Sequence, residues 1–139
     1  MLHVYFAGIL ALSASPSTDD AADTLSARAA SIEAEVVALT QRNEAMQAGK
    51  LAAQAMRGSD LSNHDRYHLG ALAFDAYMVA HINNPSVAAL CEARRVARAM
   101  AKLATTPNEK TSARGLVGQV TSELAKLDPP GRCEPQAAR

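Results

Sequence analysis

The sequence predicts an all-α fold, an antiparallel helical bundle of about four main helices, from three observations. First, 48% of the 139 residues are hydrophobic but only 4% are aromatic and Trp is absent, so alanine fills much of the apolar count. Alanine is the strongest helix former and adds little volume to a core, so long helices should pack closely over a thin core. Second, residues 64–82 (HDRYHLGALAFDAYMVAHI) are apolar nearly all round at helical spacing, with His64, Asp65, His68 and Asp75 as the main interruptions. Such a helix is a buried one, which makes this stretch the expected centre of the domain. Third, clusters of breaker and capping residues divide the remainder into segments joined by short turns, and short turns force successive helices to lie antiparallel.

At the start of the chain, residues 4–12 (VYFAGILAL) form an apolar run closed by Ser13, Ala14 and Ser15. A bilayer-spanning helix needs about 20 apolar residues, so this run is too short to span. It reads as a signal peptide over residues 1–15, cleaved near Ser13 or Ala14, with Pro16 opening the mature chain. Its flank departs from the usual pattern in carrying His3 and no Lys or Arg, and the alternative is an amphiphilic first helix packed into the domain. No Cys follows the run, so a free periplasmic or secreted protein is expected rather than a lipid-anchored one. The expected organisation is then a linker over 16–19, one helical domain over 20–128 and a tail over 129–139.

Ser17 or Thr18 can cap the first helix, and Asp19, Asp20 and Asp23 suit its positive end. Leu25, Ala29, Ile32, Val36, Leu39, Asn43 and Met46 follow at alternating spacings of four and three, a heptad seam. The preferred reading is one narrow stripe laid against the central helix; the alternative is a homodimer through residues 25–46, a short coiled coil with Asn43 setting the register. Gly49 is expected to break or strain this helix, residues 51–56 to resume it, and Gly58 to close it. Ser62, with Asp65 three residues on, starts the central helix, which Asn83, Asn84 and Pro85 end.

Ser86 opens the third helix, whose apolar side is Leu90, Ala93, Val96, Ala97, Met100 and Leu103. Arg94, Arg95, Arg98 and Lys102 line its other side as one basic stripe, the candidate surface for a protein partner. Thr106, Pro107 and Glu109 make the clearest helix start in the chain. The fourth helix should bury Leu116, Val117, Val120, Leu124 and Leu127 before Asp128, Pro129, Pro130 and Gly131 stop it, leaving an unstructured tail.

Antiparallel helices carrying GKLAA around Gly49 and RYHLGALAF around Gly70 resemble tetratricopeptide-like helical hairpins over residues 45–127. The resemblance implies a groove that takes a peptide or a partner protein. The separation of the two glycine-marked places departs from the 34-residue repeat of that family, and no ligand-contact residue carries over.

Charge excludes little and points to no nucleic acid: 14 Lys and Arg balance 14 Asp and Glu. Locally, residues 15–60 hold seven acids against four bases, and residues 86–139 nine bases against five acids. Weak attraction between opposite faces of one bundle explains this; a dedicated anion site is the alternative.

Catalytic chemistry is suggested only by His64-Asp65-Arg66-Tyr67-His68. Two histidines at i and i+4 can hold one metal ion with the intervening acid as base, as in zinc proteases, and Glu92 stands at a distance where some of those supply a third ligand. Asp is a methylene shorter than the Glu of that motif, so the preferred reading is a pair of surface histidines near a helix start. A zinc-dependent hydrolase is the alternative. His81 reads as a residue facing the last carbonyls of its helix and Asp75 as a solvated edge. With no phosphate loop, nucleophile elbow or CxxC pair, neither an enzyme nor a cofactor is expected, and the function read from the sequence is an exported scaffold or protein-interaction module.

The two cysteines, Cys91 and Cys133, are expected to form a disulfide. In an antiparallel pair of third and fourth helices, the tail after Leu127 emerges beside the start of the third helix. The alternatives are a half-buried free Cys91 and a tail cysteine that reacts or pairs between chains.

Overall fold

A computed structural model describes residues 24–134. The expected signal peptide, the linker, its capping Ser17 and Thr18, and Asp19, Asp20 and Asp23 lie outside the described residues, as do residues 135–139. Five helices make up the described chain: α1 (Ala27–Gln41), α2 (Ala45–Arg57), α3 (Asn63–Asn83), α4 (Val87–Leu103) and α5 (Pro107–Lys126). There is no strand among the described residues, and no helix there is long and apolar enough to cross a membrane.

The helix expected from residue 20 to 57 is two helices. Residues 24–26 are not helical, and Ser26 caps α1 by accepting the Ala29 N–H at 3.2 Å. The Ser26 N–H is itself held by the Asp65 carboxylate at 3.3 Å, which fixes the extended entry. At the other end, the Asn43 N–H reaches the Thr40 carbonyl at 3.1 Å and the Glu44 N–H the Leu39 carbonyl at 2.9 Å. These paired bonds close the last turn around a left-handed residue, and Asn43 supplies it at φ 62°. Asn43 is therefore a helix terminator and not a coiled-coil register position. The seam of residues 25–46 bends away here, so no continuous three-heptad helix exists for the homodimer considered above.

Gly49, the expected break, lies inside α2. A Cβ there would stand 2.8 Å from the Tyr77 ring, so the missing side chain is what lets α2 close on α3. Gly70 plays the matching part on α3, where a Cβ would meet Met100 Cγ at 2.6 Å and Met56 Sδ at 2.7 Å. The two methionines reach Gly70 from α2 and α4, so both helices cover α3.

Along α3, Leu69, Ala73, Phe74, Ala76 and Tyr77 are buried, as a central helix requires. Ile82 departs from the expectation: it is 73% exposed in the last turn, at the edge of the bundle. On α4, Leu90, Ala93, Val96, Ala97 and Met100 turn inward, and Ser86 caps the helix through the Ala89 N–H at 3.1 Å. The capping box of α5 forms between Thr106 and Glu109, with Pro107 at the first position. This helix buries only Ala113, Val120 and Leu124; Leu116, Val117 and Leu127 stay half-exposed because α5 lies on α4 alone for most of its length.

The start of the tail, expected as unstructured, is held in place, and the expected bridge between Cys91 and Cys133 is present. The Gly131 N–H bonds back to the Leu124 carbonyl at 2.9 Å, and Cys133 is joined to Cys91 with their Cα atoms 5.4 Å apart.

Candidate functional site

The basic stripe of α4 faces a groove that the tail walls off. Cys91, Arg94, Arg95, Arg98, Ala99 and Lys102 line it from α4 and Cys133 and Glu134 from the tail, around a cavity of about 500 Å³. Residues 94, 98 and 102 follow one another at one-turn intervals of about 6 Å along the helix axis. Among the described residues Glu134 is the sole acid lining the groove.

The four cations are not equivalent. Arg95 pairs with Glu92, and Arg57 of α2 approaches the same carboxylate at 3.9 Å. Among the described residues no carboxylate lies within ion-pairing distance of Arg94, Arg98 or Lys102. Arg98 and Lys102 are exposed, so a row of unneutralised charge faces solvent. Near Glu92, Arg57 and Arg95 lies Tyr77, which is 1% exposed. Burial, reinforced by the charge of Glu92, pushes its hydroxyl up to about 12, against the opposing pull of Arg57 and Arg95, so it stays neutral.

His68, of the two histidines, joins two helices. His68 Nε2 lies 3.0 Å from Glu33 Oε2, tying α3 to α1. Asp65, the supposed base, is 3% exposed and is bonded to the Ser26 N–H, so it braces the start of α1 instead of facing a water between the histidines. Glu92 is turned to Arg57 and Arg95 on another face. Among the described residues no three His, Cys, Asp or Glu side chains are grouped to hold a metal ion. His81 also departs from its expected part: its Nδ1 accepts the Ser86 N–H at 3.0 Å, joining α3 to the cap of α4.

Asp75 is exposed, as a solvated edge requires, and it also lines an apolar groove of about 260 Å³ between α1 and α3. Val36, Val37, Leu72 and Val79 flank it there, and desolvation raises its pKa although the side chain is open to solvent.

Sequence reasoning missed Glu92 as a hub, the approach of Arg57 and the tail wall at Glu134. The i, i+3 spacing of Glu92 and Arg95 was the one local signal; the other two depend on tertiary folding. Comparison of the chain with family models, curated proteins and solved structures gives no match.

Proposed function

We propose that the protein is an exported helical scaffold that takes an acidic segment of another protein in the groove between α4 and the tail. The observation that carries this reading is the row Arg94, Arg98 and Lys102, three cations in a concave surface with no carboxylate within ion-pairing distance among the described residues. Complementary charge across an interface fixes register and speeds encounter more than it adds affinity. An acidic helix with carboxylates at i, i+4 and i+8 matches the row turn for turn. The antiparallel pairs α2–α3 and α4–α5, taken as tetratricopeptide-like hairpins, belong to the same reading. Export is supported by the disulfide and by the apolar run at 4–12, since disulfides persist in oxidising compartments.

The test is fluorescence anisotropy with a labelled Glu-rich helical peptide and its Gln-substituted counterpart. Binding by the acidic peptide alone, weakened at least tenfold by Arg98→Glu with Lys102→Glu and by 0.5 M salt, is the expected outcome. Equal binding of both peptides, or none, refutes it. Intact mass of the protein from its native cell tests export: the expected species starts within a few residues of Ser15, and a full-length cytosolic species refutes the claim.

A further inference from the structure

The disulfide lies in the wall of the basic groove and not in the core. Cys91 and Cys133 are both half-buried and both line the cavity that Arg94, Arg98 and Lys102 line. We propose that the Cys91–Cys133 bridge is a thiol-exchange site for small anionic thiols, which the groove gathers beside it, with attack on Cys133 and departure of Cys91.

Two features of the groove select the reagent. A cavity of about 500 Å³ admits a molecule of tripeptide size. Its three unneutralised cations raise the local concentration of an anion and lower that of a cation, an effect that salt screens. Thiolate, the attacking species, is itself negative, so a thiol that also bears carboxylates is favoured twice.

The direction of the exchange follows from what stands beside each sulfur. Arg94 and Arg98 lie three and seven residues after Cys91 on the same helix face, so charge developing on Cys91 meets two guanidinium groups that no carboxylate among the described residues pairs with. Cys133 is followed by Glu134, whose carboxylate disfavours a second negative charge there. A nearby cation lowers a thiol pKa, and a lower pKa makes the better leaving group. The incoming thiolate sulfur forms its bond to Sγ of Cys133, the bond between the two cysteine sulfurs breaks, and its electron pair remains on Cys91. The products are a mixed disulfide on Cys133 and a Cys91 thiolate, with no net oxidation. A second thiolate attacking the mixed disulfide releases a symmetric disulfide and leaves Cys133 as thiolate. The tail is then untethered, and Glu134 is no longer held against the groove.

The experiment uses the oxidised, folded protein with glutathione, 2-mercaptoethanol and cysteamine, which are anionic, neutral and cationic. Each rate is taken per thiolate and divided by that thiol's rate with a linear peptide disulfide. The expected order is glutathione first, about tenfold over cysteamine at low salt and about threefold or less at 0.5 M salt. Early alkylation quenching and peptide mapping should place glutathione on the 133–139 peptide and the alkyl group on Cys91. A triple variant, Arg94→Gln, Arg98→Gln and Lys102→Gln, with unchanged far-ultraviolet dichroism, should lose the preference. Equal normalised rates, or glutathione mainly on Cys91, overturns the proposal. Retention of the thiol preference by a protein that binds no acidic peptide overturns the scaffold reading alone, because the exchange site rests on the groove and not on that partner.

Discussion

Gly49→Ala should destabilise the protein, although alanine is the better helix former. In an exposed helix interior the same change gains about 0.5–1 kcal/mol. Here the new methyl would stand 2.8 Å from Cδ1 and Cε1 of Tyr77 and 3.0 Å from its Cγ. The ring is rigid and 1% exposed, so it cannot swing into solvent, and α2 must lift from α3 instead. Overpacking of this kind costs about 1–3 kcal/mol. Subtracting the helix gain leaves a net loss centred near about 1 kcal/mol and reaching about 2.5 kcal/mol, at about 4 °C in Tm per kcal/mol for a domain of this size. Gly115 and Gly118 on α5 supply the internal reference, because a Cβ at either meets nothing within 4 Å. Their alanine variants should each gain up to about 1 kcal/mol. Urea titration with a common m-value measures all three, and Gly49→Ala in a Tyr77→Leu background should be far less harmful than in the natural one. A Gly49→Ala protein as stable as Gly115→Ala would refute the claim that this glycine exists to admit the ring.

Other perturbations test the remaining contacts. Asp75→Asn should stabilise the protein at pH 7: the raised pKa of Asp75 means the folded state holds its proton more tightly, so the native carboxylate is unfavourable at neutral pH and the advantage of Asn should shrink as pH falls below the ordinary Asp value; thermal melts at pH 7 and pH 3 check it. Thr106→Ala should cost about 1 kcal/mol by removing the hydroxyl that accepts the Glu109 N–H at 3.1 Å. Glu109 completes that box with its carboxyl held below the usual range by the Thr105 and Thr106 N–H groups, so its contribution is present above the ordinary Glu pKa and lost as pH falls through the depressed one; a Glu109→Gln variant should therefore lose less stability on acidification than the natural protein. Reducing and alkylating the bridge, which joins residues 42 apart, should lower stability by about 2–4 kcal/mol through loop closure in the unfolded chain, read as a lower urea midpoint.

Where structure is set within a few neighbouring residues, it was legible in the sequence. The central helix at residues 64–82 agrees with α3 to within a residue, and Ser86 and Thr106 start α4 and α5 where their side chains announce them. The errors fall where a distant partner decides. Asn43 keeps the heptad spacing, so the seam conceals the left-handed turn that it makes. Gly49 looks like a helix breaker until Tyr77 is known to press on it from another helix. Asp65 was legible as part of the start of α3, but its carboxylate is buried against an N–H 39 residues earlier in the chain. The cations of the groove were visible as a stripe at turn spacing and the return of the tail as a bridge between Cys91 and Cys133, whereas the hollow that the two enclose was not.

That return also compensates for a thin attachment. α5 buries just Ala113, Val120 and Leu124, and two of these contribute little more than a methyl group or a short branched chain. Its first turn is secured by the capping box and by the Tyr67 hydroxyl, which donates to the Glu109 carbonyl at 3.1 Å. Its last turn has the Gly131 N–H on the Leu124 carbonyl and, beyond that, the covalent link to the first half of α4. The two ends of α5 are therefore held by different means, one by hydrogen bonds to residues near Thr106, the other by a bond that a thiol can open. Once it opens, the carboxy-terminal half of α5 should fray first, because Val120 and Leu124 are its buried side chains and Val117 and Leu127 beside them are covered only in part. Amide hydrogen exchange on the reduced and alkylated protein should accordingly show protection falling from residue 126 back toward 117 before α2, α3 or the capped start of α5 is affected. A uniform loss across all five helices would instead mean that the bridge stabilises the bundle as one cooperative unit.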